Sequence, residues 1–94
     1  MKILKPVHTN IISIADVGNG WIVLESRFNH PDFTSNLYKV DRDFNLVWTA
    51  QDRGGKAKYE TLVEESGFLK VYDNFGRATL NSETGETTDW EVTR

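Results

Sequence analysis

The sequence predicts an all-β fold: two four-stranded antiparallel meanders, or eight strands folding instead as a small β-sandwich or barrel. Three observations predict it. Apolar and polar residues alternate with period two through almost every segment, and helical spacing is nearly absent. Gly- and Asn-bearing turn signals cut the chain at short intervals. Thr, Val, Ile, Tyr, Phe and Trp, which suit a pleated half-buried surface, are well represented.

In chain order, the alternation places strands at 10–17, 21–26, 35–41 and 46–52. A second set follows at 59–66, 68–73, 76–82 and 87–94. The turns between them are Gly18-Asn19-Gly20, Arg42 to Asn45, Ser66-Gly67, Asn74-Phe75-Gly76 and Glu83 to Glu86. Gly and Asn supply the positive φ that tight hairpins need. Residues 53–58, Arg-Gly-Gly-Lys-Ala-Lys, read as a flexible connection between the sets. Residues 1–9 are expected to add an edge strand before Pro6, since Pro stops ladder pairing there. The inward face is expected to carry Ile22, Leu24, Val40, Leu69, Val71 and Leu80.

The two sets look like copies, near 10–52 and 59–94 of one 1–94 domain. Gly20-Trp21-Ile22-Val23-Leu24 lines up with Gly67-Phe68-Leu69-Lys70-Val71. Asn36 to Asp41 lines up with Gly76 to Asn81, and each copy then passes a polar turn and ends near a tryptophan, Trp48 or Trp90. In each turn an Asn or Gly, Asn45 or Gly85, stands where a left-handed residue belongs. The first copy carries an extra loop, Arg27 to Thr34.

The stretch Leu37-Tyr38-Lys39-Val40-Asp41…Leu46-Val47-Trp48, and more weakly Leu80 to Glu86…Trp90, resembles the blades of β-propellers of the quinoprotein and WD types. The resemblance implies architecture only: four-stranded meanders, with no cofactor residue carried over. Two blades do not close a ring, since propellers need at least about four. The resemblance therefore implies either several chains completing a ring or eight strands folding as a sandwich or barrel. Open sheet edges point the same way, toward self-association as a homo-oligomer.

Composition narrows the function classes. The chain has 94 residues, 38% hydrophobic and 27% charged, with no Cys, so disulfides and thiolate metal sites are excluded. The apolar run at the N-terminus is too short for a signal peptide, and no stretch is apolar for long enough to span a membrane, so a cytoplasmic setting is expected. Net charge is −3 and uneven. Residues 1–59 carry eight Lys/Arg against six Asp/Glu, whereas residues 60–94 carry three against eight, a split of +2 and −5. An acidic second half disfavours a nucleic-acid backbone and favours a basic partner.

Candidate chemistry is sparse. Ser26, His30 and Asp32 share one short loop, where such residues bond their own backbone more readily than they form a triad. Asp41-x-Asp43-x-Asn45 with Asp52 has the start of a calcium loop but Leu46 where that loop requires Gly, and it reads as an Asx turn. Gly54-Gly55-Lys56 lacks the spacing of a phosphate loop. No catalytic set, cofactor or metal is expected. The expected function is a non-catalytic protein-binding module with an acidic face, of the kind a small inhibitor or immunity-type protein uses to mask a basic partner. The alternative is a two-blade, lectin-like protein that oligomerises and binds sugars through its aromatic residues. Candidate contact residues are Arg27, Phe28, His30 and Phe33 of the inserted loop, the strip Phe68, Lys70 and Tyr72, and the acids Glu83 and Glu86.

Overall fold

The computed structural model describes residues 3–51 and 58–92. It contains eight strands: β1 (Ile11–Asp16), β2 (Gly20–Glu25), β3 (Leu37–Asp41), β4 (Leu46–Thr49), β5 (Thr61–Glu65), β6 (Phe68–Tyr72), β7 (Gly76–Leu80) and β8 (Thr87–Val92). They form two four-stranded antiparallel meanders, β1-β2-β3-β4 and β5-β6-β7-β8, and neither closes into a barrel. Every strand read from the alternation is present. The ends read at Asp52 and beyond Val92, and most of the 53–58 connection, lie outside the described residues.

Turn chemistry sets the registers. Val17 N–H bonds Gly20 O across a two-residue turn in which Gly18 has a φ of 91°. Ser66 and Gly67 close β5 to β6 with φ of 53° and 83°, the two positive values a type I′ turn demands. At the β3–β4 turn the left-handed residue is Phe44 (φ 67°) rather than Asn45, and its ring packs 5.2 Å from that of Trp21. The Asx turn is real: Asp41 Oδ1 accepts the N–H groups of Asp43 and Asn45.

The layer between the sheets is built from Ile22, Leu24, Leu37, Ala50, Tyr59, Leu62, Val71, Ala78 and Leu80, with Trp48, Leu69 and Trp90 packed against them. Each large side chain fully buried there contributes about 1.5–3 kcal/mol. Val40 is a correction to the expected inward face. It pairs with Trp21 and joins Val23 and Tyr38 in a separate cluster on the outer side of the first sheet. Its neighbour Lys39 points into the layer instead, 3% exposed, with its ammonium donating to Ser82 O at 3.0 Å. A lysine stem buries well when its head finds an acceptor at the rim.

Residues 3–9 form no strand, which corrects the expected edge strand. They lie as a strap over the outer side of the first sheet, where Leu4 packs against Val23, Tyr38 and Val40.

The two sheets stack front to back. Glu25 N–H bonds Asn36 O on the β3 side, so the alternate residues Ile22 and Leu24 bond toward β1. Asp73 N–H bonds Gly76 O on the β7 side, so Val71 and Leu69 bond toward β7, the third strand of their meander. The layer is thus lined by opposite faces of two equivalent meanders. Matching the hairpin closures sets Gly20 level with Phe68, so the lining-up of Gly20 with Gly67 is out of structural register by one residue. β1 and β5, the first strands of the two meanders, lie against each other.

Candidate functional site

The polar turn between β7 and β8 is a tightly constrained acidic element. Asn81 Oδ1 accepts the N–H groups of Glu83 (2.8 Å) and Thr84 (3.2 Å), Asn81 O accepts Gly85 N–H, and Thr84 Oγ1 accepts Glu86 N–H. Gly85 has a φ of 81° and lies flat on the Trp48 ring, so close that a Cβ there would meet the ring at 2.5 Å. Ser82 O accepts both Lys39 Nζ and Trp48 Nε1. The turn is therefore bolted to the first sheet by contacts that leave Glu83 and Glu86 exposed. Among the described residues Glu64, Glu83, Glu86 and Asp89 are exposed and make no ion pair.

At the same end of the molecule a cleft of about 620 Å³ opens between β1 and the β5–β6 hairpin. Val17, Leu62, Leu69 and Leu80 line its apolar walls, Ser82 joins it to the acidic turn, and Asp16 and Glu64 stand at its rim. Asp16 is already engaged. The Gly18 N–H first, and Arg42 second, hold its carboxyl below the usual carboxylate range. Arg42 in turn lies over the Trp21 ring at 4.2 Å. Glu64 has no such compensation.

Phe68, Lys70 and Tyr72 share the outer face of the second sheet, opposite Leu69 and Val71 as expected. Phe68 is 60% exposed, while the other two are half-buried in cross-strand lacing. Lys70 Nζ donates to Thr79 Oγ1 at 2.7 Å, Tyr72 O–H donates to Glu65 at 3.0 Å, and Arg77 pairs with Glu91. In the first sheet the equivalent face is the one turned toward the second sheet, carrying Ile22 and Leu24.

The inserted loop lies at the other end of the strands. Lys58, 5% exposed, pins it by donating to the carbonyls of Pro31 and Thr34, and Arg27 pairs with Glu60. Phe28 and Phe33 are exposed, with Arg27 over the Phe28 ring at 5.0 Å. His30 is only 7% exposed, so it presents no contact surface. Its Nδ1 contacts Pro31 O, its buried Nε2 has no hydrogen-bond partner, and neither Ser26 nor Asp32 bonds it, which removes the triad geometry. The structure therefore joins Glu83 to Glu86 and keeps the Phe68 strip together. It sets the 27–34 loop apart from both.

Sequence reasoning missed buried polar groups, Glu25 and Asn36 among them. Glu25, 0% exposed, accepts the N–H groups of Val7 (2.6 Å), His8 (3.0 Å) and Thr9 (2.8 Å) and the Tyr38 hydroxyl (2.5 Å). Burial works against the charge, but these donors outweigh it and hold the carboxyl below its ordinary range. Asn36, also 0% exposed, donates to Glu25 O and Tyr59 O and accepts Tyr59 N–H, tying the first sheet to the entry of β5. Polar residues inside an alternating pattern carry no sign of such roles.

Comparisons with protein-family models, with curated proteins and with solved structures find no match to this chain.

Proposed function

We propose that the chain is a non-catalytic protein-binding module whose second sheet presents an acidic face to a basic partner, in the manner of a small inhibitor or immunity-type protein. The observation that carries the reading is the set of exposed, unpaired carboxylates Glu64, Glu83, Glu86 and Asp89, two of them on a turn fixed by Trp48 and Ser82. Rigid display of unpaired charge favours steering of an oppositely charged partner and lowers the ordering cost on contact. The adjoining cleft, walled in part by Leu62, Leu69 and Leu80 and acidic at Glu64, suits the stem and head of a lysine or arginine side chain.

The repeats also read as blade-like units. Front-to-back stacking with first strand against first strand is how blades follow one another around an axis. The edge strands β4 and β8 are the positions through which a homo-oligomer would extend the sheets. The lectin-like alternative draws no support from the indoles. Trp21 lies under Arg42, Trp48 under Gly85, and Trp90 stacks with Tyr59.

The test starts with affinity capture of the partner from the native host. Association rates are then measured across salt for the wild type and for Glu83→Lys/Glu86→Lys. The wild-type rate should fall as salt rises, and the double variant should associate more slowly with little change in dissociation. Rates flat with salt in both proteins would sink the acidic-face reading.

A further inference from the structure

We propose that the strap of residues 3–9 is a proton-linked device: protonation of His30 loosens its docking on the outer side of the first sheet. The inference concerns the first sheet and does not depend on the acidic face of the second.

The strap is held by polar contacts more than by apolar ones. Leu4 packs on the sheet, but Ile3 and Val7 are 71% and 60% exposed. The hold comes from three successive N–H groups on the Glu25 carboxylate and from Thr9 Oγ1 donating to Ser26 O at 2.7 Å. His8 of the strap meets the His30 ring edge-on, with centroids 5.0 Å apart. His30 is thus sealed in part by the strap itself, and its Nε2 is buried without an acceptor.

A neutral ring tolerates that site with its Nδ1 proton directed to Pro31 O. An imidazolium does not, because its second N–H has nowhere to donate. The charged groups facing the ring are Lys58 from the segment before β5, His8 from the strap and Glu25 from the end of β2. Desolvation outweighs the Pro31 bond and the Glu25 charge, while Lys58 and His8 add repulsion, so the docked ring titrates below the ordinary 6.5. The sign follows. Docking is at full strength above pH 6.5, weakens as pH falls through that value, and stops weakening below the docked ring's own midpoint. Glu25 stays largely ionised between pH 7 and 5, since its carboxyl lies below 4.5, so over that range the anchor is not what titrates. Opening the strap would uncover Val23, Tyr38 and Val40, an apolar surface closed at neutral pH.

The experiment is amide hydrogen exchange on the intact protein between pH 7 and 5, corrected for intrinsic rates. Protection at Val7, His8 and Thr9 should fall by about threefold or more, bounded at tenfold per pH unit. Protection at Val71 in the interlayer core should hold. His30→Phe, which keeps a ring but takes no proton, should abolish the fall. A smaller fall, a parallel loss at Val71, or the same pH dependence in His30→Phe would overturn the proposal. Should that variant not fold, wild-type NMR decides: the His30 ring protons and the strap amides must share one midpoint below 6.5, and separate midpoints overturn it.

Discussion

Asn36 offers the sharpest test of how the two sheets are joined. Its buried side chain makes hydrogen bonds of 2.8 Å to Glu25 O, 2.8 Å to Tyr59 O and 2.9 Å from Tyr59 N–H. Asn36→Leu keeps the branched shape and heavy-atom count of the side chain and deletes every one of these bonds. Each buried backbone group that loses its bond to Asn36 costs about 1–3 kcal/mol, partly offset by the apolar gain of the new side chain. The expected loss is about 3–6 kcal/mol. A chain of 94 residues has a total of about 5–14 kcal/mol to lose, so the variant should be barely folded. Urea unfolding followed by tryptophan fluorescence reads the change as a midpoint shift at constant slope. Asn36→Asp is the control. It keeps an acceptor for Tyr59 N–H but turns an anionic oxygen on two carbonyls, so acid should partly rescue it as the carboxyl gains a proton to donate. A loss below about 1 kcal/mol in Asn36→Leu would refute the idea that this side chain stitches the sheets together.

Gly85→Ala places a Cβ in left-handed backbone and 2.5 Å from the Trp48 ring, so it should cost about 1–3 kcal/mol. Thermal melting should drop by several degrees, while Gly67→Ala, with open space around its Cβ, should bear only the backbone part. Tyr38→Phe removes the hydroxyl that donates to Glu25 and should cost about 1.5–3 kcal/mol at pH 7. Because Glu25 is held below 4.5, its stabilisation is present above that value and lost as pH falls through the lowered one. The gap between Tyr38→Phe and wild type should therefore narrow in urea titrations at strongly acid pH.

What the sequence made legible was whatever follows from alternation and turn grammar. The strands sit where period two and Gly- or Asn-bearing turns put them, and Ile22, Leu24, Val71 and Leu80 lie inward as that pattern requires. Lys39 and Val40 went the other way for a physical reason. Alternation cannot tell which face of a strand is covered when both are, and β2 is buried along both, by the second sheet on one side and the strap on the other. A lysine looked like the outward residue and a valine the inward one, until a carbonyl at Ser82 gave the ammonium somewhere to go. Glu25, Asn36 and Lys58 were illegible for a related reason. Their roles depend on backbone groups of Val7–Thr9, Tyr59 and Pro31–Thr34, distant along the chain, and no local pattern encodes such partners.

The slip of one residue between the copies has a structural consequence. Aligned by glycine, Gly20 on Gly67, the copies would present Ile22 and Leu69 on equivalent faces, and two such faces meeting would pack front to front. Aligned by hairpin closure, Gly20 stands level with Phe68, and the residues equivalent to Ile22 and Leu24 are Lys70 and Tyr72. A shift of one reverses every side chain in a strand. The first meander therefore buries by one face, and the second by the other, with the same strand order and the same direction of travel. That is repetition along a stack rather than about a two-fold axis. The ends of the stack then differ in kind: Val23, Tyr38 and Val40 under the strap at one end, the laced polar face of Lys70, Tyr72 and Arg77 at the other. An apolar face needs a cover and the strap supplies it, whereas a face whose polar groups bond one another stands in water without one.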